Sequence, residues 1–159
     1  MLTKIFYGLA IVLTLAIAAF LVMFYNLARQ SETIVNAGLQ NNMLQDCPDR
    51  PSCVNSLSDL EQHAIAAFAV PDSMTEPVAA MAAVIMTMPR AEIIEVNDDY
   101  LHAIYSSAIF GFVDDLEILR DGEQLQVRSV SRVGFSDQGV NRRRVEELRR
   151  LWLQASIQN

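Results

Sequence analysis

The pattern of hydrophobic and polar positions changes character several times along the chain. Residues 5–25 contain no charged side chain. A helix of that length spans roughly 30 Å at about 1.5 Å per residue, the thickness of a bilayer's hydrocarbon core. A cleaved signal sequence would have an apolar stretch of only about 7 to 15 residues, closed by small side chains. Here the run continues through Phe20, Leu21, Val22, Met23, Phe24 and Tyr25, so a retained single-pass anchor is expected over residues 1–28. Residues 26–42 then mix polar and apolar positions around Gly38. They read as a partly helical stalk, placed at 29–45, leading to a soluble domain at 46–159.

Within that domain Pro77 suits a first helical turn, residues 78–88 are rich in Ala and Met, and Pro89 stops the run. A helix buried over much of its surface is expected there. After Pro89 the period shortens. Residues 91–96, 100–107, 112–119 and 124–133 are rich in β-branched or aromatic side chains, separated by turn residues at Asn97, Asp98 and Asp99 and at Asp121 and Gly122. They predict four strands. Asp121-Gly122 as a two-residue type I′ turn would place Ile118 opposite Leu125, Leu116 opposite Val127, Glu117 opposite Gln126 and Asp115 opposite Arg128. This register sorts the apolar residues onto one face. The chain closes with a helix from near Asn141, carrying Val145, Leu148, Trp152 and Ala155 as an apolar stripe. The fold class expected is α+β: a transmembrane helix, then an antiparallel meander of about four strands packed by helices.

Charge and cysteine usage narrow the function classes. The net charge is −7, which disfavours nucleic acid as a partner because phosphate neutralisation needs a basic surface. Arg128, Arg132, Arg142, Arg143, Arg144, Arg149 and Arg150 crowd the last third, whereas Asp46, Asp49, Asp59, Glu61, Asp72 and Glu76 lie earlier. An internal electrostatic match between the two halves explains that asymmetry. Cys47 and Cys53, flanked by Pro48 and Pro51, are the only cysteines. An even pair in a short domain reads as a disulfide and places the domain on an oxidising side, the periplasm or an equivalent space beyond an inner membrane. Two cysteines cannot close a zinc site, and His63 and His102 lack a ligand-like spacing from them. Met74, Met81, Met86 and Met88 could offer thioethers to a soft metal but suit core filling better. Neither a metal nor a cofactor is expected.

The stretch with the most unusual composition is 127–152, where Ser129, Ser131, Ser136, Asp137 and Asn141 alternate with arginines. Short hydrogen-bonding side chains prefer caps and turns, yet their density here exceeds what one cap requires. This block, with Cys47, Pro48, Pro51, Cys53 and Ser56, then Tyr100, Leu101, His102 and Ala103, and residues 110–115, resembles the domain of unknown function 1499 family. The resemblance implies no established activity. The family's central motif has an acidic residue after the His-Ala pair, and this chain has Ile104 there.

Three functions are compatible with these residues. An accessory or scaffolding module, held at the bilayer to serve a membrane-protein complex, suits a small anchored domain without a recognisable catalytic constellation. A small anionic ligand or lipid could be held by His102, Arg128, Ser131, Arg132, Ser136, Asp137, Asn141 and Arg142, through guanidinium forks beside a helix N-terminus. A hydrolase would use His102 as base, Ser131 or Ser136 as nucleophile and Asp137 or Asp114 to orient the imidazole.

Overall fold

The computed structural model describes residues 2–158. Helix α1, Leu2–Thr33, is long and apolar enough to cross a membrane. Its surroundings change at Phe24. Residues 3–23 are exposed on every side, whereas Phe24, Leu27, Ala28 and Ser31 turn one face inward, and Ala28 and Ser31 are fully buried. Their spacing of three and four residues is that of one helical stripe. The helix therefore runs on past its fully exposed stretch, and its last two turns belong to the packed domain.

Six strands form one antiparallel sheet: β1 (Cys53–Asn55), β2 (Phe68–Ala69), β3 (Ala91–Val96), β4 (Tyr100–Ser106), β5 (Val113–Asp121) and β6 (Gln124–Ser131). The expected meander is present as β3 to β6, in the spatial order β6-β5-β4-β3. The two short strands β1 and β2 cover successive parts of the free edge of β6, at Arg128 to Val130 and at Gln124 to Leu125. At the opposite edge, β3 has a bulge between Ile93 and Glu95 and carries two glutamates, features that discourage pairing with another chain.

The β5–β6 register differs from expectation by two residues. Glu117, not Asp115, lies opposite Arg128, while Asp115 faces Val130 and Ile118 faces Val127. The cause is the turn. Asp121 still pairs with Gln124, so the two central residues are Gly122 and Glu123. Only Gly122 has positive φ, at 58°, the pattern of a II′ rather than a I′ turn. A shift of two preserves every side chain's face, so the apolar sorting could not detect it.

On one face of the sheet, Leu101, Ala103, Tyr105, Leu116, Ile118, Leu125 and Val127 meet α2 (Pro77–Met86) and α3 (Val140–Gln158), which contribute Val78, Met81, Val84 and Ile85, and Val145, Leu148 and Trp152. Burying that many large apolar side chains, at about 1.5–3 kcal/mol each, is the main stabilising term. Met81 is fully buried there, Met88 sulfur accepts the Tyr105 hydroxyl at 3.2 Å, and Met86 is exposed.

The other face is covered by residues 34–46, which take in most of the stretch 29–45 expected as a stalk. It runs over the sheet, with Leu44 buried and the Asn55 Nδ2 group donating to the Gln45 carbonyl at 2.9 Å. It ends at the Cys47–Cys53 disulfide, whose Cα atoms lie 5.6 Å apart. Cys53 opens β1, so this bond fastens the covering segment to the sheet edge.

Candidate functional site

Alternation along β4, β5 and β6 sends Tyr100 and His102, Asp115 and Glu117, and Arg128 and Arg132 to the face beneath residues 34–46. All six are buried, the two carboxylates completely. Asp115 accepts both arms of Arg132, Nη2 at 2.7 Å and Nε at 3.0 Å, together with His102 Nε2 at 2.8 Å and the Asn36 N–H at 3.2 Å. Burial alone would raise the Asp115 carboxyl. The hydrogen bonds from His102 and Arg132, with the guanidinium charge, outweigh it and hold the group below its ordinary value.

Glu117 accepts Arg128 Nη1 at 2.7 Å, the Tyr100 hydroxyl at 2.8 Å and the Gly38 N–H at 2.8 Å. Burial and then the Glu117 charge push the Tyr100 hydroxyl above its usual range, so it stays a donor. Arg128 also donates to the Asn36 and Asp46 carbonyls. The Arg132 Nη1 group donates to the Ser31 carbonyl at 3.0 Å, at the C-terminal end of α1, and the Ser31 hydroxyl accepts the Val113 N–H at 3.0 Å. A cation at that end satisfies otherwise free carbonyls and complements the helix dipole. The anchor, the covering segment and the sheet thus share one buried polar network.

A second network lies on the opposite face, where α3 starts. Asp137 accepts the N–H groups of Gly139 and Asn141 at 2.9 and 2.7 Å. Asn141, just inside the helix, is fully buried and works in both directions. Its Oδ1 accepts the Ser129 hydroxyl at 2.6 Å and an Arg144 N–H. Its Nδ2 donates to Ser131 Oγ at 2.9 Å and to the Ser52 carbonyl at 3.1 Å. Arg144 completes an ion pair with Asp114 at 2.6 Å and stacks 4.6 Å above the Tyr105 ring. Burial pushes the Tyr105 hydroxyl up to about 12, against the opposing charge of Arg144.

Six of the eight candidate residues therefore divide between two faces, and the other two lie elsewhere. His102, Arg128 and Arg132 lie with the carboxylates under the covering segment, whereas Ser131, Asp137 and Asn141 face α3. Ser136 is exposed and accepts the Gln138 N–H at 3.2 Å. Arg142 points to a third place, donating to the carbonyls of Ala64 at 2.8 Å and Gln62 at 3.1 Å. Arg149 does the same for Ala66 and Ala67, and Trp152 Nε1 for Ala69 at 2.9 Å, so one side of α3 holds the irregular segment that leads into β2. His102 and Ser131 project from opposite faces of the sheet, so that pairing of the hydrolytic reading does not meet.

Asp115, Glu117, Tyr100, Ser31, Ser129 and Arg144 were not among the candidates. The one signal available for the carboxylates was parity, because Asp115 and Glu117 alternate in step with Arg128 and Arg132.

Ser131, Ser136 and Asp137 do share one open space. It is a cleft of about 350 Å³ between α1 and the loops 107–112 and 133–138, with Phe24, Leu27 and Phe112 among its apolar walls.

No curated protein and no solved structure matches the chain. The model of the family described as Protein of unknown function (DUF1499) matches residues 43–151, a span that takes in the disulfide, the whole sheet and most of α3. The chain belongs to that family.

Proposed function

We propose that this protein is a membrane-anchored accessory module, a non-catalytic subunit or scaffold that holds its sheet domain in a set orientation above the outer face of an inner membrane. The observation carrying this reading is the junction of anchor and domain. Arg132 closes the end of α1 while its other arms hold Asp115, and Ser31 accepts a backbone N–H from β5. A domain that only needed confinement to the membrane would function on a loose tether. The disulfide supports an oxidising, extracytoplasmic location.

A small-anion site finds less support in the same arginines. An anion would have to displace buried carboxylates from Arg128 and Arg132, and Arg142 is spent on backbone carbonyls.

Mild solubilisation of the source membrane, followed by native electrophoresis, tests the proposal. The 17.8 kDa chain should migrate with a larger membrane assembly. Migration solely as an isolated chain, in every mild detergent tried, overturns it.

A further inference from the structure

The span of α1 sets a height scale for the rest of the molecule. Residues 5–25 cover roughly 30 Å, so Phe24 lies at the edge of the hydrocarbon layer on the domain's side. The Phe24 ring is 5.2 Å from that of Phe110 and 6.0 Å from that of Phe112, which are themselves 6.1 Å apart. The loop 107–112 is thereby held at the same height. The loop 133–138 reaches it too, because Gly134 and Ser136 line the cleft beside Phe24 and Leu27.

Each loop presents one large apolar side chain. Ile109 is 86% exposed and Phe135 is 74% exposed; among the described residues outside α1, only Ile157, at the far end of α3, is comparably bare. Residues 107–112 carry no charge, and in residues 133–138 the one acid, Asp137, is committed to the start of α3. Exposed aromatic and aliphatic side chains on loops whose one acid is already hydrogen-bonded, continuous with a membrane-spanning helix, match the chemistry of a lipid interface.

We propose that the folded domain makes a second membrane contact of its own, with Ile109 and Phe135 inserted at the headgroup and acyl boundary of the leaflet that α1 leaves. The domain then stands on three points, the helix and two loops. This rests on the anchoring in the proposed function and extends it to the orientation of the domain.

Full-length protein in phosphatidylcholine vesicles, without any other protein, provides the test. Ile109→Cys, Phe135→Cys, Asp98→Cys and Leu13→Cys would each carry a nitroxide, leaving the native disulfide oxidised. Asp98 is the control because it lies in the turn at the opposite end of β4 from the loop 107–112. Labels at positions 109 and 135 should collide with oxygen more than with a water-soluble nickel chelate, and the label at 98 the reverse. If either loop label matches Asp98, the second contact is overturned. Nickel access at Leu13 would overturn the anchoring itself, which separates the two failures. Positions 109 and 135 face outward in the fold, and an unchanged circular dichroism melt confirms that labelling leaves it intact.

Discussion

At the scale of single residues, Asp115 has the largest predictable effect. It is fully buried with four donors around it, and removing its charge leaves Arg132 without a counter-ion in a site closed to water. Breaking a buried pair from one side costs about 3–5 kcal/mol, even where the intact pair contributes little net stability compared with apolar side chains. Asp115→Asn should therefore lower the unfolding free energy by about that much in detergent-solubilised protein. The loss should depend on pH. Since the native carboxyl is held below its ordinary value, the unfolded chain takes up the proton first as pH falls. The contribution is complete above the ordinary carboxylate range and fades as pH drops through the lowered native value. Melts of the wild type and Asp115→Asn should converge in acid, and a gap independent of pH would refute the assignment.

Between elements, the II′ turn and the disulfide give separate predictions. Gly122 has φ of 58° with nothing within 4 Å of where a Cβ would stand, so Gly122→Ala meets backbone cost alone. Holding an L-residue at this glycine-favouring position should destabilise by about 1–3 kcal/mol without altering the sheet, measurable by denaturant titration. Replacing Cys47 and Cys53 together by serine opens a short loop and should cost about 2 kcal/mol on the chain-entropy model. The same change should raise hydrogen exchange first at Asn36 and Gly38, residues of the covering segment whose N–H groups donate to Asp115 and Glu117 of the sheet.

These elements show what was legible in the sequence. The anchor, the disulfide, the four-strand meander and α3 each follow from local periodicity or from paired residue types. The burial of the second sheet face does not. Its cover binds through the backbone N–H groups of Asn36 and Gly38, donors that almost any residue supplies, so the sequence of residues 34–46 carries no mark of its partners. The two-residue register shift was hidden because faces have a period of two. The separation of Arg132 from Ser131 was within reach, since neighbours on a strand point to opposite faces.

For the whole molecule, the junction at Ser31 and Arg132 predicts that anchor and domain move as one body. Spin labels at Leu13 and Asp98 in a lipid nanodisc should give one narrow distance distribution. Arg132→Gln removes the helix-end contact and should broaden it. A broad distribution in the unaltered protein would mean a hinge below the domain and would remove the main support for a set orientation.

A helix fused to its domain acts as a lever. Transmembrane helices tilt by about 20° on average, and by more where the bilayer is thinner than the apolar span. The turn that leads into β4, at residues 97–99, stands a strand's length from the footing loops, about 23 Å at roughly 3.3 Å per residue. A 20° tilt carries it sideways by about 8 Å, enough to bring a neighbouring surface into contact or out of it. Local bilayer thickness thereby becomes a mechanical input to whatever the far edge of the sheet touches.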